Sequence, residues 1–377
     1  MLEFIMNDLQ IANKKATTCH HCGKKNQIVD LGSYHKGLCS KCFSPIYYKY
    51  SNENFKLAFI YAITSLILFI PINLYPIVSF ELVGNTYSVN FTQSAITLQE
   101  QGFTFVAIII FLTALVFPIM NSFVIIAIYL KKIGFLDSIK LKSLNKIYNF
   151  TVKTSFIEVY LLAIFVGYIK LNDISDVIIH DTIYFFIAYI LLFLLALNKM
   201  HTTQELISKK NFKNSYALTM SLLITGLILY IPANYFTMMN ISKFGNVTPD
   251  TIMSGIISLA NNDMLLISIV VFIASIVIPL FKLLGMLFIL LSIKFNFYNN
   301  RINKIYKLKL YKFIELIGKW SILDIYMVAL LTSLIKEESI AFVEAGSAAT
   351  YFTLVIIITM IATTTFDTKL IWNNNEQ

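Results

Sequence analysis

The sequence predicts an all-α polytopic membrane protein: two tandem four-helix transmembrane repeats with small outward caps, preceded by a compact cysteine module. Three observations predict it. Of the 377 residues 57% are hydrophobic and only 14% charged, with a mean hydropathy of +0.71, an apolar load that a soluble fold of this size cannot hide. Eight apolar segments follow one another at roughly 57–80, 103–130, 154–169, 182–198, 216–239, 264–293, 320–335 and 347–365. The chain also matches itself: shifted by 161 positions without a gap, residues 67–123 align with 228–284, with 13 identities in 57 pairs. The chain so divides into an N-terminal module (1–56), a first repeat (57–198), a linker (199–215), a second repeat (216–365) and a tail (366–377).

The module comes first. Cys19-His20-His21-Cys22-Gly23 and Cys39-Ser40-Lys41-Cys42 form two C-x2-C pairs separated by sixteen residues. Four thiolates so spaced suit the tetrahedral coordination of zinc, with Zn–S bonds of ~2.3 Å. Gly23 fits the tight turn after a knuckle. Lys24, Lys25, Lys36 and Lys41 would offset the double negative charge of such a centre. Two disulfides or a rubredoxin-type iron site are the alternatives, and a cytosolic placement argues against the disulfides. The expectation is a structural zinc ribbon with Cys19, Cys22, Cys39 and Cys42 as ligands and no open position for chemistry. His20, His21 and His35 read as solvated neighbours. The first 55 residues hold no adequate apolar run, so no signal peptide is expected and the first membrane helix must direct insertion.

Basic residues then sort by loop. The N-terminal region holds 8 Lys and Arg, the loops after the second, fourth and sixth segments 6, 4 and 7, and the tail 1. The alternate loops hold 0, 1, 1 and 1. By the positive-inside rule both termini, the cysteine module and every basic loop are cytoplasmic. The net charge of +9 therefore reflects topology and anionic-lipid contact, not a nucleic-acid footprint.

The self-match rests on residues that coincide rarely. Ile70-Pro71-Ile72-Asn73 matches Ile231-Pro232-Ala233-Asn234, Gly84-Asn85 matches Gly245-Asn246, and Pro118 matches Pro279. At a slightly longer offset Phe156-Ile157-Glu158-Val159-Tyr160 parallels Ile322-Leu323-Asp324-Ile325-Tyr326. With four spans per half the repeats are parallel, and sites inside or between two such bundles are a common transporter plan. In the outward loops, 78–83 and 86–91 around Gly84-Asn85 read as a hairpin. In the second half Thr248 reads as a helix cap with Pro249 at the first turn.

One residue stands out in the spans. Met264–Ile293 is a 30-residue run whose only ionisable side chain is Lys282, and a charge near mid-membrane costs roughly 2.5–3.5 kcal/mol. A snorkelling side chain is the alternative reading, but the basic flank at Lys294 is ~18 Å of helix away. Asn121 stands at the matching place in the first half, so the halves have diverged there. Ser275 lies seven residues before Lys282, on the same face, and Ser321, Thr353 and Thr359 are further candidates to line that interior. Glu158 and Asp324 occupy one repeat position, each five residues after a lysine, Lys153 and Lys319. Pro71, Pro118, Pro232 and Pro279 should free carbonyls and kink their helices. His180 and His201 are isolated and read as neither ligand nor base.

Taken together, Ile231-Pro232-Ala233-Asn234, Pro249-Asp250-Thr251-Ile252, Phe272-Ile273-Ala274-Ser275, Pro279-Leu280-Phe281-Lys282-Leu283-Leu284, Gly318-Lys319-Trp320-Ser321 and Phe366-Asp367 with Leu370-Ile371-Trp372 resemble the paraquat-inducible protein A family, with its LetA members. The resemblance runs over nearly the whole chain. It implies tetraspanin-like four-helix halves with zinc-ribbon modules, in the bacterial inner membrane. It further implies lipid traffic with a periplasmic MCE-domain tunnel partner of the PqiB or LetB kind. A polar cluster important for function falls by the same resemblance on Ser275, Lys282, Ser321 and Thr359. Many members carry a cysteine module before each half, whereas residues 199–215 hold no cysteine, which puts a role requiring two metal sites in doubt.

The leading expectation is passage of phospholipid to or from such a partner, with a charge relay of Lys282 and Asp324 or Glu158 as a weaker extension. A transporter of ions or small solutes and a zinc- or redox-responsive membrane regulator are the competing readings. An enzyme is not expected: no G-x-x-x-x-G-K-[ST] loop occurs, and no nucleophile–base pair or open metal site emerges.

Overall fold

The structure, a computed structural model, describes residues 15–28, 36–48, 52–82, 85–136, 140–172, 177–200, 212–243, 246–261, 265–296, 300–334 and 341–372. His35, Gly84, His201 and most of the linker lie outside the described residues. Among those described, seven helical stretches are long and apolar enough to cross a membrane, and the protein is a multi-pass membrane protein.

Two long helix pairs frame the molecule. Helix α1 (Asn52–Leu74) packs against α6 (Thr182–Lys199), and α7 (Phe212–Tyr235) against α12 (Ser347–Thr365). Pro71 and Pro232 sit inside α1 and α7, where each removes a backbone donor. Two residues later an asparagine turns back into its own helix. Asn73 Nδ2 donates to Phe69 O at 2.8 Å and Asn234 Nδ2 to Tyr230 O at 2.9 Å. In each Ile-Pro-x-Asn motif the asparagine side chain thus bonds back into its own helix, at the carbonyl two residues before the proline.

The other two prolines are accommodated differently. Helices α3 (Thr104–Ile133) and α9 (Leu265–Lys294) each contain a widened π turn, at Phe111–Val116 and Ile273–Val277. Pro118 and Pro279 lie just beyond, and the wider turn makes room for a ring that would press on the carbonyl four residues back. That carbonyl belongs to Ala114 in α3 and to Ser275 in α9.

After α3 comes an amphipathic helix, α4 (Leu141–Thr154), which breaks at extended Ser155 before α5 (Ile157–Asn172). The segment expected at 154–169 is therefore the second of two pieces, and Phe156 N donates across the break to Thr113 O in the π turn at 3.2 Å. The second half repeats the order: α10 (Arg301–Ile317), a 3-10 turn at Gly318–Ile322, then α11 (Leu323–Leu334). In the span expected at 320–335 the first residues belong to the 3-10 turn and the α-helix begins at Leu323, and its residues through Ser333 are buried within the protein. Helix α11 packs on α5, joining the two halves of the chain. Tyr160 and Tyr326 meet there with ring centroids 5.3 Å apart.

Both caps are three-stranded sheets rather than simple hairpins. In the first, β5 (Val78–Leu82) pairs antiparallel with β6 (Asn85–Val89) and with β7 (Val177–Ile179). In the second, β8 (Met239–Lys243) lies between β9 (Asn246–Asp250) and β10 (Ala341–Ala345). Thr248 and Pro249 are strand residues here, Pro249 opposite Asn240, not the helix start expected. That role falls to Thr251, whose Oγ1 accepts from Ser254 N at 3.1 Å before α8 (Ile252–Asn261). Gln101, at the end of α2 (Gln93–Glu100), crosses between the caps: it donates to Val343 O at 3.0 Å and accepts from Ala345 N at 3.1 Å. The remaining strands, β1 (Lys15–Thr18) with β2 (Lys25–Ile28) and β3 (Lys36–Leu38) with β4 (Pro45–Tyr48), build the cysteine module.

Gly346 fastens β10 to α12. Its N–H donates to Met238 O at 2.8 Å, and a Cβ on it would lie 2.1 Å from Thr237 O. Gly346→Ala should therefore destabilise the second cap by about 3 kcal/mol, at the upper end of overpacking costs. Thermal unfolding of the purified variant checks it, and an unchanged midpoint would refute the close approach.

Candidate functional site

Each C-x2-C pair sits in a turn closed by the same two backbone bonds. Cys19 N donates to Lys24 O at 2.8 Å and Gly23 N to Cys19 O at 2.9 Å; Cys39 N to Ser44 O and Phe43 N to Cys39 O both span 2.9 Å. The fifth residue of each turn is left-handed, Gly23 at φ +73° and Phe43 at φ +57°. The turns face one another, so all four buried Sγ atoms lie within 4.8 Å of each other, with Cys19–Cys42 and Cys22–Cys39 at 3.5 Å. Sulfurs tetrahedral about a metal at 2.3 Å would stand ~3.8 Å apart, so the set fits one ion, and the four thiols are not paired as disulfides. Hydrogen bonds from Cys19 and then Cys22 hold the Cys42 thiol well below the usual range, whereas sharing with Cys19 pushes Cys22 up.

The module is joined to the first half of the chain but docks on the second. Arg301 Nη2 donates to Ser40 O at 3.0 Å, Lys312 Nζ to the Ser44 hydroxyl at 2.8 Å, and the amine of Lys41 lies 5.0 Å from the Trp372 ring centroid. His21 is not simply solvated: its Nδ1 is 3.2 Å from Thr368 Oγ1, and burial, reinforced by the Lys312 amine, pushes its pKa down to about 4.

The second candidate group surrounds Lys282, which is 1% exposed. Its Nζ donates to Thr359 Oγ1 at 2.9 Å, while that hydroxyl donates in turn to Ile356 O. Gly318, in the 3-10 turn, lies beside it: a Cβ there would rest in van der Waals contact, 3.4 Å from Nζ and 3.5 Å from Cε. In the first half Asn121 pairs instead with Thr151, and Val152 stands before Lys153 as Gly318 stands before Lys319. Ser275 lies in the π turn of α9 and Ser321 in the 3-10 turn, two segments that pack together. Both hydroxyls are buried and have no hydrogen-bond partner among the described residues. Thr353 bonds its own helix at Ala349 O.

The carboxylates expected near Lys282 are elsewhere. Glu158 pairs with Lys319 at 3.2 Å, across the two halves. Asp324 is buried beneath the second cap, in a small cavity with Met238, Asp250 and Met327. The structure therefore brings Lys282 to Thr359 and not to either acid.

A second ion pair, Lys153 with Glu315 at 2.7 Å, also crosses between the halves. Between α4 and α10, bounded by the end of α12, lies a cavity of about 460 Å3. Its walls are Phe150, Phe156, Ile314, Leu316, Met360 and Ile361, and its polar lining includes Lys153, Lys282, Lys312, Lys319 and Glu315. Lys312 and Glu315 in this lining, and Ser44 outside it, escaped the sequence reading. Gly318 was quoted there only within a motif, without a role.

Lys312 links this cavity to the metal module through Ser44. Lys312→Ala is expected to speed amide exchange in β3 and β4 by about tenfold, the loss of one charge-assisted hydrogen bond. Hydrogen-exchange mass spectrometry measures it, and unchanged protection would show that the contact does not hold the module down.

The family model described as "Paraquat-inducible protein A" matches residues 56–205 and again 216–376. A "Probable intermembrane transport protein" of Haemophilus influenzae is 27% identical over 355 residues, 82% of this chain and 84% of that protein. "Intermembrane transport protein PqiA" of Escherichia coli K12 is 30% identical over 165 residues, 44% of this chain and 39% of that protein. "Lipophilic envelope-spanning tunnel protein A" of the same strain is 36% identical over 154 residues, 41% of this chain and 35% of that protein. No solved structure matches. With both halves matched in order, this chain belongs to the paraquat-inducible protein A family.

Proposed function

We propose that this protein is the inner-membrane component of an intermembrane lipid transport system, passing phospholipid to or from a periplasmic MCE-domain tunnel protein. The observation that carries the reading is the cavity between the halves. Apolar walls, a basic rim and a volume of about 460 Å3 suit a lipid headgroup and the start of its chains, within the usual range of ligand pockets. The printed names of the relatives, two of them intermembrane transport proteins, support the same direction, and a transport protein of this kind needs no catalytic site. The distribution of Lys and Arg supports cytoplasmic termini. The recurrence of sheet, π-turned helix, broken helix and closing helix supports two copies of one four-helix unit.

Within that reading Ser275, Lys282, Ser321 and Thr359 form the polar inner end of the path, and Lys282 changes partner as lipid passes. Glu158 serves as a clasp on Lys319 instead of a relay partner, and Asp324 acts under the cap. The four cysteines hold a structural zinc ion that fixes the module against α10.

Lys282→Met, which keeps the length and removes the amine, should cut lipid transfer to the outer partner by about tenfold or more with membrane assembly intact. Transfer of labelled phospholipid between reconstituted inner-membrane vesicles and the partner measures it, and full activity would sink the lysine-centred reading. Elemental analysis of the purified chain should find one zinc bound at the four-cysteine site, lost in Cys22→Ser; iron in its place would overturn the assignment.

A further inference from the structure

Around the cavity mouth the balance of charge is uneven. Four lysines line it, Lys153, Lys282, Lys312 and Lys319, against one carboxylate, Glu315. Two of these lysines are occupied by carboxylates reaching over from the opposite half, Glu315 on Lys153 and Glu158 on Lys319. Both pairs are part-exposed, with side-chain exposures of 56% and 35% in the first and 33% and 26% in the second. Ion pairs so wetted contribute little and exchange readily. Beside them the apolar side chains do not close over: Phe150 is 59% exposed, Leu316 70% and Ile361 43%.

We propose that this cavity binds the phosphodiester headgroup of one glycerophospholipid, whose phosphate takes the place of Glu315 on Lys153 and of Glu158 on Lys319. This rests on the lipid-transport reading above and names its substrate class and the site where the headgroup first seats. A phosphodiester has two non-bridging oxygens that share its single negative charge, so each can accept from one amine. The exposed Phe150, Leu316 and Ile361 then carry the acyl chains out along the helix surface. The inner amine, Lys282 on Thr359, remains as the next anionic subsite. Because each displaced carboxylate belongs to the half opposite its lysine, seating the headgroup releases two ties between α4–α5 and the region of α10 and its 3-10 turn. Loading and loosening of the halves become one event.

The test needs the full chain in neutral-detergent micelles, with binding read by native mass spectrometry. Dioleoylphosphatidylglycerol should bind as a single retained molecule, and dioleoylglycerol, with the same chains and no phosphate, about tenfold or more weakly, as expected for loss of a charge-assisted contact. Glu315→Gln should tighten phosphatidylglycerol binding several-fold, because it removes the competing anion while leaving Lys153 in place. A purely structural clasp predicts the opposite, weaker binding or none. Lys153→Gln should weaken binding, and wild-type protein answers the headgroup question even if that variant fails to fold. Equal binding of the two lipids, or an unchanged or weaker affinity in Glu315→Gln, overturns the headgroup site. Millimolar inorganic phosphate displacing the lipid also overturns it, in favour of a free-anion site. If the two lipids bind alike while transfer to the outer partner persists, the headgroup site fails and lipid transport stands; if neither lipid is retained and transfer is absent, both fail.

Discussion

An amine buried in apolar surroundings and held by one hydroxyl is the constraint on which the second half of this protein turns. In hydrocarbon a polar group without partners costs several kcal/mol, so Lys282 requires Thr359 at hydrogen-bond distance, with Gly318 packed beside it. Those needs account for local features that look unrelated. The 3-10 turn at Gly318–Ile322 brings a glycine to the side of α9, where the π turn that holds Ser275 packs against it. The start of α11 at Leu323 follows as well, because the 3-10 turn takes the residues just before it.

The cysteine module extends this arrangement beyond the helices. Knuckle geometry sets where Ser44 lies, Ser44 takes the amine of Lys312, and Lys312 lines the cavity that reaches Lys282. The cysteine turns and the membrane interior are thus connected through one side chain on α10. That connection runs from the first part of the chain to its second half, so the module ties the beginning of the sequence to α10.

Much of this was legible in the residues, and the division follows physical range. The helix Ser347–Thr365 was read to the residue because an apolar run is a local property, whereas the spans expected to run on to 80 and 239 stop at Leu74 and Tyr235, where the sheets of the caps begin. The four clustered cysteines declared themselves by spacing, and Thr359 was read as one of several polar groups lining the lysine's interior. What failed to read through was pairing at a distance. Nothing local to Glu158 says that its partner is Lys319, or that Asp324, its repeat counterpart, is drawn under a β-sheet cap. Likewise Thr248 and Pro249 carry a helix-start signature, yet the edge of β8 outcompetes it by offering a full ladder of backbone bonds.

Gly318 shows how closely the second half packs around its buried charge. Where the first half has Asn121 and Val152, the second has Lys282 and Gly318. A bare Cβ at 318 would already rest in van der Waals contact with the lysine, 3.5 Å from Cε. Any branch beyond that Cβ would have to share its space with the end of the lysine side chain, so the size of residue 318 bears directly on where the amine can rest.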